Sequence, residues 1–144
     1  MGEKISKVSK IFLETSVFIR YFTADDEKKF ADCVHLLETI EKAGTLRPYT
    51  SNIVILEILF VLTRVYKFPK KEVLEGIQKI LDIRNLTLIE KADTLAALEF
   101  YKKHNIKFGD CLIATQIPTG VKLVSYDEEF EKIKIPVLTP VEFL

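Results

Sequence analysis

The sequence predicts an α/β fold, a three-layer α/β/α sandwich around a central parallel sheet. Short apolar runs of strand length alternate along the chain with longer segments whose apolar residues recur at helical spacing. The first run, residues 11–13, is wholly apolar, as is typical of a strand that helices cover on both faces. It ends abruptly in Glu14 and two hydroxyl side chains, and ligands usually bind just past such strand ends. Glu14 is therefore a candidate site residue, although a polar strand end facing water would give the same pattern.

Length and composition favour one folded domain spanning residues 1–144. The chain is 48% hydrophobic and 29% charged, which is typical of globular proteins and not of disordered ones. Its 21 basic and 21 acidic residues balance, so any nucleic-acid binding must depend on local patches or metal ions. Cys33 and Cys111 are expected to be small core residues that form no disulfide. Residues 1–10 lack a signal-peptide core and no run is long enough to span a membrane, so we expect a cytoplasmic protein.

The first third of the chain is predicted to continue with two helices and a second extended segment. Residues 17–22 make the first apolar run too long for a single strand, so the chain is expected to turn into a helix there. Residues 26–43 carry an apolar stripe at 3.6-residue spacing and end at Gly44, which suits a helix stop. Residues 46–50 fit a short strand or an extended link, and Ser51 then suits the N-cap of the next helix.

That next helix, residues 53–62, is apolar on every side except at Glu57. A helix that is apolar all round is buried in the core or against another subunit. We therefore expect a homodimer, with residues 17–22 adding further apolar surface. A lone carboxylate on such a helix is costly without a partner or a metal ion, which makes Glu57 a second candidate.

The second half of the chain continues the alternation of helices and strands. Asp110 falls in the first turn of a predicted helix, where the helix dipole alone also favours a carboxylate. Asp127 comes just past a predicted strand. The predicted elements are a helix that Pro69 opens at its first position, a strand at 86–89, helices at 93–103 and 108–115, a strand at 121–125, a helical turn at 128–132, a strand at 135–138 and a capping box at 139–142.

Glu14, Glu57, Asp110 and Asp127 thus stand apart from the solvated charges. In a parallel sheet, strand ends and the starts of the following helices gather at one edge, so we expect these acids to converge in one cleft. Clustered carboxylates repel one another and need protons or cations to stay together. Oxygen ligands with hydroxyls nearby suit Mg²⁺ or Mn²⁺ better than zinc. Ions held in this way clamp a phosphodiester displacement and activate water.

Over nearly its whole length the sequence resembles PIN-domain proteins, especially the VapC-type toxins. The resemblance rests on four segments, IFLETSVFIRYF, TSNIVILEILFVL, FGDCLIAT and LVSYDEEF, taken in this order. It implies a divalent-metal-dependent endoribonuclease that cleaves RNA, is commonly dimeric and is held inactive by a cognate antitoxin. Glu57, Asp110 and Asp127 match the second, third and fourth acids of the family pattern. The polar positions that often support those acids match Thr15 or Ser16, and Ser125.

The first acid departs from that pattern, because the family usually has Asp where this chain has Glu14. The longer side chain keeps the charge but alters the reach of its oxygens, and from the sequence we expect Glu14→Asp to raise activity. The departure leaves open a catalytically impaired PIN-fold protein that binds RNA or another protein. A receiver-type signalling domain is a further alternative, but it would carry adjacent acids after the first strand. His35 and His104 are expected at the surface without a metal role. Two lysine clusters are expected to be solvated faces, with contact to backbone phosphates as the less favoured alternative: Lys67, Lys70 and Lys71, and Lys102, Lys103 and Lys107.

Overall fold

A computed structural model describes residues 8–144, and the charged residues 1–7 lie outside that range. Five strands form one sheet in the order β3-β2-β1-β4-β5, and every neighbouring pair is parallel. Helices flank this sheet, so the predicted α/β sandwich with a parallel sheet is confirmed. The strands are β1 (Ser9–Leu13), β2 (Leu46–Ser51), β3 (Thr87–Ile89), β4 (Lys122–Val124) and β5 (Val137–Leu138).

Six α-helices connect and cover the strands in the described part of the chain. The third continues directly into a π-helical turn, Val61–Val65, so one helical rod carries both segments. Two 3₁₀ segments, Glu128–Ile133 and Pro140–Phe143, lie near the end of the chain. The α-helices are α1 (Thr15–Thr23), α2 (Glu27–Ala43), α3 (Asn52–Phe60), α4 (Lys70–Leu81), α5 (Thr94–Lys103) and α6 (Phe108–Gln116).

The central strand β1 lies in the middle of the hydrophobic core. Its apolar residues Ile11, Phe12 and Leu13 have no exposed surface, as expected for a strand with a partner on each edge and helices over its faces. The Glu14 backbone N–H donates to the Val124 carbonyl at 3.0 Å, so the pairing of β1 with β4 extends to Glu14 itself. The backbone at the first candidate acid is therefore fixed by the sheet.

Side-chain caps define where several helices begin. The predicted Ser51 cap is confirmed, because its hydroxyl accepts from the Val54 N–H at 3.2 Å. Asp26 and Asp93 cap α2 and α5 in the same way, and the predicted capping box at 139–142 is present. Pro69 is the N-cap of α4 and not its first helical residue, a shift of one position from the prediction.

The strand order places a topological switch point between β1 and β4. The helical connections after these two strands leave in opposite directions along the sheet, and in open α/β sheets ligands bind in the crevice at such a point. Glu14 follows β1 and Asp127 follows β4, so both lie at this crevice. A receiver domain has the order 2-1-3-4-5, so the topology excludes that alternative.

Burial corrects one expectation and confirms another. Val17 and Phe18, predicted to add exposed apolar surface, are fully buried because α1 packs its first turns against the core. Cys33 and Cys111 are free thiols inside the core, as predicted. Among residues 8–144, no helix combines the length and the apolar character needed to cross a membrane.

Candidate metal centre and active site

Three of the four predicted acids form a tight carboxylate cluster at the carboxyl edge of the sheet. Glu14, Asp110 and Asp127 each place a carboxylate oxygen so that the three oxygens lie within 4.8 Å of one another. The three acids come from the end of β1, the first turn of α6 and the segment after β4. Like charges at this spacing repel, so the cluster is suited to hold a cation.

Three hydrogen-bond donors hold one oxygen of the Glu14 carboxylate. Its Oε1 accepts from the Ser16 N–H at 3.0 Å, the Ser16 hydroxyl at 2.7 Å and the Ser125 hydroxyl at 2.6 Å. The side chain is also the N-cap of α1, and only 3% of the residue is exposed. The length of the Glu14 side chain therefore brings Oε1 within hydrogen-bond distance of both serine hydroxyls.

Ser125 links two of the clustered acids. Its buried hydroxyl donates to Glu14 and accepts from the Asp127 backbone N–H at 2.8 Å. Asp127 is oriented in turn by the Glu129 N–H, which donates to its Oδ1 at 3.0 Å. One hydroxyl thus sets the spacing between the end of β1 and the loop after β4.

Asp110 is the residue that most requires a cation. It has no exposed surface, and neither carboxylate oxygen has a hydrogen-bond partner among residues 8–144. Its nearest positive group is the Lys107 ammonium, 3.9 Å from Oδ1. Burial above all, together with the charges of the other acids, raises the pKa of Asp110 to about 7 against the opposing charge of Lys107. A buried carboxylate without donors is costly, so the donor set fits a bound metal ion.

Glu57 lies in the same cleft but outside the three-acid cluster. Its Oε1 accepts a hydrogen bond from the Thr15 hydroxyl, and its Oε2 lies where a Cβ atom at Gly109 would come within 2.9 Å of it. Burial raises the pKa of Glu57, which the Thr15 hydrogen bond and the Lys107 charge partly offset. The fourth predicted acid is thus fixed at the border of the cluster.

A cleft of about 710 Å³ opens beside the acids. Glu14, Glu57 and Asp127 lie along it together with two cations, Arg20 and Lys107. Its remaining wall is largely apolar and aromatic and includes Ile19, Leu56, Phe60, Val61 and Tyr66. A second cavity of about 660 Å³, which contains Asp110, shares Lys107 with the first. The acids therefore lie between two open spaces large enough for parts of a polymeric substrate.

Three further residues, Lys107, Arg20 and Gly109, belong to this site and were not predicted from the sequence. Lys107 is exposed, as predicted, but nothing predicted that its ammonium approaches Asp110 and lines both cavities. The available signal was its position three residues before Asp110, which places both on one side of a helix start. Arg20 carried no comparable signal, because nothing in its sequence neighbourhood indicates that it faces the cleft. Gly109 gave none either, since its role depends on contact with the distant Glu57.

Comparison of the sequence with models of known protein families identifies the class of protein that has this fold and this site. The family model described as PIN domain matches residues 11–136, so the chain belongs to the PIN-domain family.

Particular relatives lie within that family. The chain is 24% identical over 132 residues to the VapC ribonuclease of Aquifex aeolicus, a match that covers 90% of this chain and 96% of the relative. Its fold is similar to Mycobacterium tuberculosis VapC20, a toxin that cleaves the sarcin-ricin loop, with a TM-score of 0.69, 18% identity and coverage of 88% and 96%. It is also similar to Rickettsia felis VapBC2 bound to a promoter DNA fragment, with a TM-score of 0.62, 19% identity and coverage of 90% and 98%.

Proposed function

We propose that this protein is a divalent-metal-dependent endoribonuclease of the VapC type, the toxin of a toxin–antitoxin pair. The single observation that carries the proposal is Asp110, a fully buried carboxylate without a hydrogen-bond donor among residues 8–144, clustered with Glu14 and Asp127. The likeness to the Aquifex aeolicus VapC ribonuclease over 90% of this chain supports the reaction class.

In this proposal Glu14, Asp110 and Asp127 hold the metal, and Glu57 completes the acidic site from the border of the cluster. A bound Mg²⁺ or Mn²⁺ would activate water and neutralise charge on the phosphate that is attacked. All candidate ligand atoms are carboxylate oxygens, which favours these hard cations over zinc. Hydrogen bonds from Ser16 and Ser125 keep Glu14 oriented before any ligand binds.

The rest of the cleft suits an RNA strand. Arg20 and Lys107 place positive charge beside the acids, where a phosphate backbone needs counter-charges in a protein of zero net charge. Tyr66, which lines the cleft, offers aromatic surface for an unstacked base. The hydrogen bonds that accommodate Glu14 favour this catalytic proposal over a PIN-fold protein that only binds RNA.

The proposed partner is a cognate antitoxin protein, and the proposed location is the cytoplasm, where RNA substrates are found. The Rickettsia felis relative is a VapBC2 complex bound to a fragment of promoter DNA, and the likeness in fold over 90% of this chain supports such a partner. Co-expression with the product of a neighbouring small gene, followed by size-exclusion chromatography, tests this point. A stable complex that suppresses RNA cleavage is the expected result.

Mg²⁺ or Mn²⁺ is expected to stabilise the native protein and to switch on RNA cleavage together. A ligand that binds only the native state at about 100 times its dissociation constant adds about 2.7 kcal/mol. For a chain of this size that corresponds to a rise of about 5–10 °C in the melting temperature. Thermal melts in Mn²⁺ and in chelator, beside cleavage of a mixed RNA pool under the same conditions, measure both effects. Cleavage that persists in chelator, or no shift and no cleavage at millimolar ion, would contradict the proposal.

We propose further that the protein is a homodimer assembled through the exposed side of α3 and its π-helical continuation. Leu56, Phe60 and Val65 are each more than 60% exposed there, which leaves a large apolar surface in water. Leu56→Glu and Phe60→Glu are each expected to give monomers at micromolar concentration by light scattering. Leu74→Glu, at a half-exposed leucine of α4, is the matched control and should remain dimeric. A monomeric wild-type protein would contradict the proposal.

A further inference from the structure

Gly109 has an exceptionally close neighbour in the candidate site. A Cβ atom added at this position would lie 2.9 Å from Oε2 of Glu57, closer than real Cβ contacts come. Gly109 lies in the first turn of α6 and is not among the residues of positive φ, so its backbone is one that alanine also adopts. Glycine weakens a helix relative to alanine, so helix formation gives no reason for a glycine here. The space that its missing side chain leaves is occupied by the Glu57 carboxylate.

The other oxygen of Glu57 is held by a hydrogen bond. The Thr15 hydroxyl at the start of α1 donates to Oε1, while Oε2 occupies the space beside Gly109 that a Cβ atom would need. Asp110 is the next residue of α6, so this contact brings Glu57 to the helix turn that carries a clustered acid. The Thr15 hydroxyl and the bare backbone of Gly109 together define one position for the fourth carboxylate.

We infer that Gly109 is a positioning residue, whose lack of a side chain sets the place of the Glu57 carboxylate beside the acid cluster. Its consequence for RNA cleavage rests on the proposed function, but its consequence for the fold does not. A methyl group at residue 109 would meet the end of a flexible side chain and not a backbone atom, so Glu57 would move and α6 would stay. That movement would take Glu57 from the Thr15 hydroxyl and leave the rest of the protein folded.

A shorter acid at residue 57 should make room for the methyl group. Four proteins test this: the wild type, Gly109→Ala, Glu57→Asp and the double variant. Gly109→Ala alone is expected to slow metal-dependent cleavage at least tenfold. In the Glu57→Asp background the same methyl group should change the cleavage rate less than twofold, because the shorter aspartate side chain no longer places an oxygen where the methyl group would lie. A purely structural effect of the methyl group would instead lower both backgrounds alike.

Melting temperatures in chelator give a second reading that requires neither metal nor cleavage. In the Glu57→Asp background, Gly109→Ala should raise the melting temperature by a few degrees, the usual gain of alanine over glycine in a helix. In the wild-type background displacement of Glu57 should cancel that gain. Gly76→Ala in α4 is the matched control: its Cβ would lie 3.1 Å from the Phe22 ring, away from the acids, so its effect should be equal in both backgrounds.

Equal effects of Gly109→Ala in the two backgrounds, in rate and in melting temperature, would overturn the inference. If the wild-type protein cleaves no RNA, the proposed function fails while the melting temperatures still decide the role of Gly109. If the wild type cleaves and Gly109→Ala cleaves equally fast, the inference fails while the proposed function stands.

Discussion

Asp110→Asn is expected to reduce single-turnover RNA cleavage by a factor on the order of 100 or more, because removal of one group that stabilises a charged transition state typically costs that much. The amide side chain would keep the shape of the carboxylate and lose the negative charge that the cluster offers to a cation. The same variant should lose most of the thermal stabilisation by Mn²⁺. Single-turnover rates and melts at matched Mn²⁺ concentrations measure the two effects.

The opposite effect is expected on the stability of the metal-free protein. Burial raises the pKa of Asp110 to about 7, whereas an aspartate in an unfolded chain titrates near 3.9. Between these values Asp110 binds more protons in the native state than in the unfolded state, so its contribution to the free energy of unfolding falls as pH rises from about 4 to about 7. Asp110→Asn removes this dependence and should melt a few degrees above the wild type in chelator at pH 8.

Asp82→Asn is the control for both measurements, because it makes the same chemical change at an exposed position at the end of α4. It should leave cleavage and metal stabilisation unchanged. An equal rise in metal-free stability between pH 4 and pH 7 in the wild type and in Asp110→Asn would show that Asp110 is not a destabilising buried charge. Full activity of Asp110→Asn would remove it from the site.

Glu14→Asp is expected to lower the cleavage rate about tenfold, since displacements on the order of 1 Å at a reacting site can cost up to about 100-fold. This direction is the reverse of the one expected from the sequence. The backbone at Glu14 is fixed through its hydrogen bond to Val124, so a shorter side chain would withdraw its carboxylate from the Ser125 hydroxyl, which now donates at 2.6 Å.

The comparison requires single-turnover rates on one RNA at saturating Mn²⁺, where metal affinity no longer limits the reaction. Glu14→Gln is the companion variant, because it keeps the length and removes the charge. If Glu14→Asp is slower and Glu14→Gln slower still, both length and charge matter. A faster Glu14→Asp protein would instead restore the expectation from the sequence and would mean that Glu14 strains the site.

The sequence predicted the fold well where local signals and burial agree. The apolar run at 11–13 identified the central strand because a strand covered on both faces shows no polar alternation. Ser51 identified the start of α3 because a cap acts within its own helix turn. Val17 and Phe18 were misjudged since an apolar run does not reveal which of its residues face the core and which face water.

The position of the acids could be predicted from the sequence where they follow a strand or begin a helix. Glu14, Asp110 and Asp127 meet at one edge because the sheet is parallel. The roles of Lys107 and Gly109 depend on distances between segments far apart in sequence, which no local pattern encodes. The metal-binding and catalytic roles of the acids remain predictions that the variants above test.

The pairing between Glu14 and Ser125 joins positions 111 residues apart in the sequence, and Asp127 follows only two residues later. The cluster therefore forms only when β4 has taken its place beside β1, after Ser125 and Asp127 have been synthesised. A growing chain on the ribosome carries Glu14 early, but it still lacks the Ser125 hydroxyl and the Asp127 carboxylate that complete the cluster. Any metal-dependent cleavage that relies on this acidic centre is therefore expected only after β4 and the residues that follow it are available to fold, and not in shorter nascent chains.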